Sequence, residues 1–99
     1  MLEQLFVYGT LIDPVVQFAV FGRATEGRPD KLAGNRMSSI RLGDRDYPII
    51  EPENSSSVEG LVITVSLTEL SLIDHYEGEA YRRNKVTLVS GRRAWVYQA

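Results

Sequence analysis

The stretch Leu2-Glu3-Gln4-Leu5-Phe6-Val7-Tyr8, followed by Gly9-Thr10 and then Asp13-Pro14, decides how the chain begins. Its apolar, β-branched and aromatic residues read as a buried strand. Gly9-Thr10 ends that strand. Asp13 offers an N-cap and Pro14 the first helical position, so a helix is expected next. Val15, Val16, Phe18, Ala19, Val20 and Phe21 make it apolar on nearly every side, and Gly22 is its natural stop. The chain therefore opens as strand, tight loop and short buried helix.

Beyond this opening, residues 31–42 have a mixed pattern and read as one or two irregular strands. Tyr47-Pro48-Ile49-Ile50 is a short extended piece, with Pro48 marking an edge or a bend. The polar cluster at residues 54–57 reads as a turn. Residues 58–65 form the second clear strand, with Gly60 as a candidate bulge. Ser66 and Glu69 have the spacing of a capping box, and Val65 and Leu70 that of a hydrophobic staple. In the helix they open, Leu70, Ile73 and either Tyr76 or Glu77 share a face, and Gly78 ends it. Residues 81–89 and 94–97 then read as two strands across a Ser90-Gly91 turn. Many strands and two short helices favour an α+β fold: a small mixed β-barrel with two short flanking helices rather than a sandwich.

Ninety-nine residues allow a single domain, spanning residues 1–99. The 43% apolar and 24% charged fractions are those of a folded globular chain. A net charge of -2 gives no field suited to a phosphate backbone, so nucleic acid is not an expected partner. No apolar run approaches the ~20 residues that span a bilayer, and the first residues have no basic n-region. The absence of cysteine rules out disulfides, thiolate zinc sites and a thiol nucleophile. It fits a reducing, cytoplasmic setting. Monomer is the simplest expectation at this size.

Two places carry candidate chemistry. A strand that runs through Tyr8-Gly9-Thr10-Leu11 into a helix leaves backbone N–H groups free to meet a carboxylate or an oxyanion. A plain strand-to-helix turn is the alternative. Glu77 falls in the last turn of the second helix, at the negative end of its dipole. Asp74, three residues earlier on the same face, adds like-charge repulsion. Both push the Glu77 carboxyl upward, toward the range of a general base. The bland alternative is an exposed acid, or one paired with Arg82 or Arg83. His75 and Glu77 are two apart on a helix and point to different faces, which argues against a metal site. No Gly-x-Ser-x-Gly elbow supports a serine triad. Tyrosines 8, 47, 76, 81 and 97 are either core residues with hydroxyls at the rim or the lining of one cavity.

Leu5-Phe6-Val7-Tyr8-Gly9-Thr10-Leu11 resembles the N-terminal signature of the γ-glutamylcyclotransferase-like family, which includes the plant avirulence-induced-gene relatives. Asp74-His75-Tyr76-Glu77-Gly78, with Tyr81-Arg82-Arg83 and Val86 after it, is similar to the family's second signature. Val58-Glu59-Gly60-Leu61-Val62 and Ala94-Trp95-Val96-Tyr97 are similar to its intervening and final strands. The resemblance runs in order from Leu5 to Tyr97.

It implies a small barrel with a cavity at one end, a loop that holds substrate through backbone amides, and Glu77 as the acid/base. Thr10 stands where the family usually has serine, and its extra methyl narrows the site. Tyr8, Gly9, Thr10, Leu11, Tyr47, Tyr81 and Tyr97 are the expected substrate-binding residues, and Glu79 is not expected to act. The implied reaction cyclises a γ-glutamyl group to 5-oxoproline and releases an amine or amino acid. It needs no cofactor and no metal. A non-catalytic small-ligand module with the same fold is the competing reading. A third, a structural subunit, calls for an exposed apolar patch that the sequence does not display.

Overall fold

The computed structural model describes residues 2–99. Its elements are β1 (Leu2–Val7), a 3-10 turn (Thr10–Ile12), α1 (Pro14–Phe21), β2 (Arg28–Leu42), β3 (Arg45–Ser66), α2 (Leu67–Glu77), β4 (Arg82–Thr87) and β5 (Arg93–Gln98). The strands form one sheet in the order β2-β3-β1-β5-β4. β1 runs parallel to β5 and antiparallel to β3, and the two hairpins β2–β3 and β4–β5 are antiparallel. The sheet curls into a half-barrel whose outer edges approach each other. Val89 N–H donates to the Lys31 carbonyl at 2.9 Å, and the Ser90 hydroxyl donates to Asp30.

β1 is the centre of the sheet, and its second half is buried on both faces, which explains the apolar run Leu5-Phe6-Val7. Leu5 and Val7 pack with Leu70 and Ile73 of α2 and with Phe21 of α1. Phe6 points the other way, among Ile50, Val58, Val62, Ala94 and Val96. Period-2 alternation thus builds two cores, one beneath the helices and one inside the curl.

The caps form as the sequence predicts. Asp13 Oδ1 accepts from Val15 N–H at 2.9 Å, and Pro14 occupies the first turn. Gly22 ends α1 with a left-handed backbone, φ 82°. Ser66 and Glu69 complete their reciprocal capping box, and Val65 and Leu70 lie in the same core. No helix among the described residues is long and apolar enough to cross a membrane.

Several expectations need correcting. α1 is not a buried helix: Val15 and Phe18 are 75% and 64% exposed. The molecule therefore does display apolar side chains on one helix. The inward positions are Phe21 and, unexpectedly, Gln17. Gln17 can be buried because its amide is satisfied at both ends, donating to the Leu11 carbonyl at 2.8 Å and accepting from Thr25 N–H at 2.9 Å.

Residues 31–42 do form one irregular strand, part of a long β2 that breaks register between Ala33 and Asn35 and turns through Gly43-Asp44 into an even longer β3. Residues 54–57 make no chain reversal. Ala33 pairs with Ser57 and Asn35 with Pro52, so residues 53–56 stand opposite Gly34 alone. That is where the bulge lies. Gly60 keeps regular register with Asp30. Its missing side chain has another cause: a Cβ there would lie 2.7 Å from the Phe6 ring and 2.4 Å from the Val7 carbonyl oxygen. Pro48 pairs with Ser39 where β3 has only β2 as a neighbour, so its missing N–H interrupts no ladder on the open side.

Candidate functional site

Where β1 ends, the chain must leave the sheet centre and climb to α1. Gly9, with φ -128° and ψ -135°, lies against the Pro48 ring, and the 3-10 turn follows. Ile12 and Asp13 N–H groups close that turn on the carbonyls of Gly9 and Thr10. The N–H groups of Gly9, Thr10 and Leu11 donate no bond within it, as expected at the start of a helical turn. The turn forms one wall of a cavity of about 410 Å³.

The other walls come from distant parts of the chain. The β2–β3 hairpin brings Leu42, Tyr47 and Pro48; α2 brings Tyr76 and Glu77; Tyr81 precedes β4 and Tyr97 lies on β5. Every residue singled out from the sequence (Tyr8, Gly9, Thr10, Leu11, Tyr47, Glu77, Tyr81 and Tyr97) lines this one space. Glu79 is exposed and does not. No group of three or more potential metal ligands lies together among the described residues.

The α2 face resolves in favour of Glu77. Leu70, Ile73 and Glu77 follow the inward stripe, whereas Tyr76 is 45% exposed at the cavity mouth. There its hydroxyl meets Thr10 Oγ1 at 2.8 Å. The Thr10 hydroxyl thereby ties the loop to the helix.

Burial pushes the Glu77 carboxyl up to about 7. The direction agrees with the sequence reading, but the cause does not. Asp74 is not a repelling neighbour left open to Glu77; it is held by Arg83 Nε and Nη2, each at 2.9 Å, and by the Tyr97 hydroxyl at 2.6 Å. Burial alone would raise Asp74, yet these hydrogen bonds bring its carboxyl below the ordinary value. Arg83 is thereby taken, and Glu77 has no ion pair among the described residues.

The tyrosine protons are also taken. Tyr8 donates to the Tyr97 carbonyl, Tyr81 to the Pro48 carbonyl at 2.7 Å, and Tyr97 to Asp74. Burial raises all three phenols, and the Glu77 charge adds to it. They remain neutral phenols in the cavity wall. Glu77 is the only carboxyl group lining it among the described residues.

Sequence reasoning missed Pro48, Leu42, Phe6 and Val7 as lining residues, and it counted Tyr76 among the candidate cavity tyrosines without placing it in the substrate-binding set. Tyr76 had a signal, its place beside Glu77 at the helix end. Leu42 and Pro48 had none, because only the reach of the hairpin brings them here.

The sequence matches the model of the family described as gamma-glutamyl cyclotransferase, AIG2-like, over residues 5–99. Protein AIG2 C of Arabidopsis thaliana is 36% identical over 88 residues, covering 88% of this chain and 52% of that protein. AIG2-like protein C of the same plant is 33% identical over 86 residues, covering 86% of this chain and 49% of that protein. The chain thus spans about half the length of the curated relatives it matches. An Arabidopsis thaliana protein solved in solution superposes with a TM-score of 0.83 at 32% identity, over 98% of this chain and 68% of the other. A solved structure named gamma-glutamyl cyclotransferase gives a TM-score of 0.81 over 99% of this chain and 66% of that one; at 15% identity the likeness is one of fold. Fold, sequence identity and a family match over nearly the full chain agree: this chain belongs to the γ-glutamyl cyclotransferase, AIG2-like family.

Proposed function

We propose that this chain is a γ-glutamylcyclotransferase-type enzyme that converts a γ-glutamyl group to 5-oxoproline and releases an amine or amino acid. One observation carries the reading: an unpaired carboxyl group with a pKa of about 7 faces the same cavity as the Tyr8-Gly9-Thr10-Leu11 turn. A base that is partly ionised near neutrality can both take a proton and return it.

In the proposed reaction the substrate α-amine attacks its own γ-carbonyl carbon. A new C–N bond closes the five-membered ring, and the original amide C–N bond breaks. Glu77 accepts the proton of the attacking amine and delivers it to the departing nitrogen, so it ends as it began. Backbone N–H groups of Gly9, Thr10 and Leu11 hold the α-carboxylate or the oxyanion. The tyrosine walls exclude water and fix the folded-back conformer, and such positioning is worth up to about 7–11 kcal/mol.

Incubating the chain and its Glu77→Gln variant with γ-glutamyl amino acids, peptides and amines, and measuring 5-oxoproline, tests this. The wild type is expected to release it, and the variant to be slower by roughly 10²–10⁴-fold while still folded. Equal rates would remove Glu77 from the mechanism. Binding of a panel member without release by either form would make the cavity a binding site.

A further inference from the structure

α1 turns Val15 and Phe18 outward, and the residues it buries are Gln17 and Phe21. Phe21 belongs to the apolar core, whereas Gln17 is an amide only 1% exposed. Its nitrogen donates to the Leu11 carbonyl at 2.8 Å, and its oxygen accepts from Thr25 N–H at 2.9 Å. A carbonyl can only accept and a backbone N–H can only donate, so one orientation of the amide satisfies both. Gln17 thereby joins three segments: the turn after β1, α1 itself, and the link from α1 to β2.

Leu11 belongs to the turn that walls the cavity. The peptide bonds of that turn are trans, and the C=O and N–H of a planar trans peptide point in opposite directions. Fixing a carbonyl therefore fixes the N–H of the next residue. Gln17 holds the Leu11 carbonyl and so sets Ile12 N–H, which closes the turn on the Gly9 carbonyl at 3.1 Å. The Gly9 carbonyl shares its peptide plane with Thr10 N–H. Asp13 N–H holds the Thr10 carbonyl at 3.1 Å in the same way, which sets Leu11 N–H. The carbonyls of Gly9, Thr10 and Leu11 are thus all held from within the protein, the last of them by a side chain. The N–H groups of Thr10 and Leu11 donate no bond within the turn.

We propose that Gln17 is a positioning residue of the site: by holding the Leu11 carbonyl it presets the turn, so that the N–H groups of Thr10 and Leu11 meet the substrate already oriented. Donors fixed in advance need no reorganisation when charge develops. The inference rests on the proposed role of the turn in holding a carboxylate or an oxyanion.

The test compares Gln17→Met, which keeps the length of the side chain and removes both hydrogen bonds, with Ser66→Ala as a stability control. In Gln17→Met, amide exchange measured by NMR is expected to quicken at Ile12 more than in β1 or α2. Its kcat/KM for 5-oxoproline release is expected to fall at least about tenfold, short of the ~10²–10³-fold that loss of an oxyanion donor costs. A rise in KM at constant kcat would assign the turn to the α-carboxylate, and a fall in kcat would assign it to the oxyanion; either supports the role of Gln17. If Gln17 only braces the fold, Gln17→Met loses stability while its kcat/KM stays at that of Ser66→Ala, and the inference is overturned. Should Gln17→Met fail to fold, Gln17→Asn decides on the same readouts, because it keeps an amide one methylene too short to reach both partners.

Turnover by the wild type with an unchanged kcat/KM in Gln17→Met would leave the reaction standing and remove the positioning role. If the wild type releases no 5-oxoproline, the proposed reaction falls and binding of added 5-oxoproline, itself a carboxylate, decides. It is expected to shift the Thr10 and Leu11 amide resonances of the wild type and to bind Gln17→Met more weakly by the same margin. Equal affinity, or no binding to the wild type, overturns the inference.

Discussion

Glu77 is a carboxyl that the fold desolvates and leaves without an ion pair among the described residues, and this has a thermodynamic consequence. Its folded-state pKa of about 7 stands above the ordinary 4.5. The folded chain therefore holds this proton more tightly than the unfolded chain does. Its contribution to stability is full below about pH 4.5 and is lost as the pH rises through about 7. Glu77→Gln removes that dependence. The carboxyl is partly open to solvent, so the effect is discounted to about 1–2 kcal/mol. Urea unfolding is expected to show the variant gaining that much relative to wild type between pH 4 and pH 8. A difference that stays constant with pH would contradict the desolvated state of Glu77.

Single residues also show how far sequence reading reaches. Glu77 was legible because it carries a family motif and ends a marked helix. Gln17 was not: nothing in the residues around it marks a buried amide. Only the positions of the Leu11 carbonyl and the Thr25 N–H make its burial favourable. Gly60 likewise reads as a bulge until the Phe6 ring is seen lying across it.

Among the elements, α2 is the most firmly specified. Ser66 and Glu69 satisfy each other's backbone N–H groups at its start. Glu69 also receives the Arg23 side chain at 2.6 and 2.8 Å. Ser66→Ala removes one acceptor and leaves the Glu69 backbone N–H without its cap. A loss of about 1 kcal/mol is expected in urea unfolding, with turnover kept because the cap is at the end of α2 remote from Glu77. A variant as stable as wild type would mean that the Arg23 contact alone secures the helix start. α1 was equally legible in its boundaries and misread in its orientation. Asp13, Pro14 and Gly22 act on backbone groups near them in sequence. Which side of an apolar helix turns inward depends on what the sheet offers it.

For the whole molecule, the decisive object is the long β2–β3 hairpin. Past the bulge at Gly34 it leaves β1 behind and carries Leu42, Tyr47 and Pro48 to the cavity. The Tyr81 hydroxyl fastens it by donating to the Pro48 carbonyl. Tyr81→Phe is expected to cost roughly 0.5–1.5 kcal/mol and to speed amide hydrogen exchange near Tyr47 and Ile49. Protection in β1 and β5 should stay unchanged. Uniform loss of protection across the sheet would show that the contact supports the whole core instead of the arm.

By itself the sequence determined what local chemistry can specify. It set where the helices start and stop, that the Leu5-Phe6-Val7 run of β1 is buried, and that Glu77 and the Tyr8–Leu11 turn belong to one family pattern. Caps, breakers and period-2 alternation act over a few residues, so they can be read from a few residues. The tertiary structure alone decided that residues 45–66 form one strand with a bulge, that five tyrosines face one cavity, and that Arg83 goes to Asp74 and not to Glu77. Register, enclosure and the choice of an ion-pair partner depend on which distant segments pack together. Burial, which pushes the Glu77 carboxyl upward, exists only once they have done so.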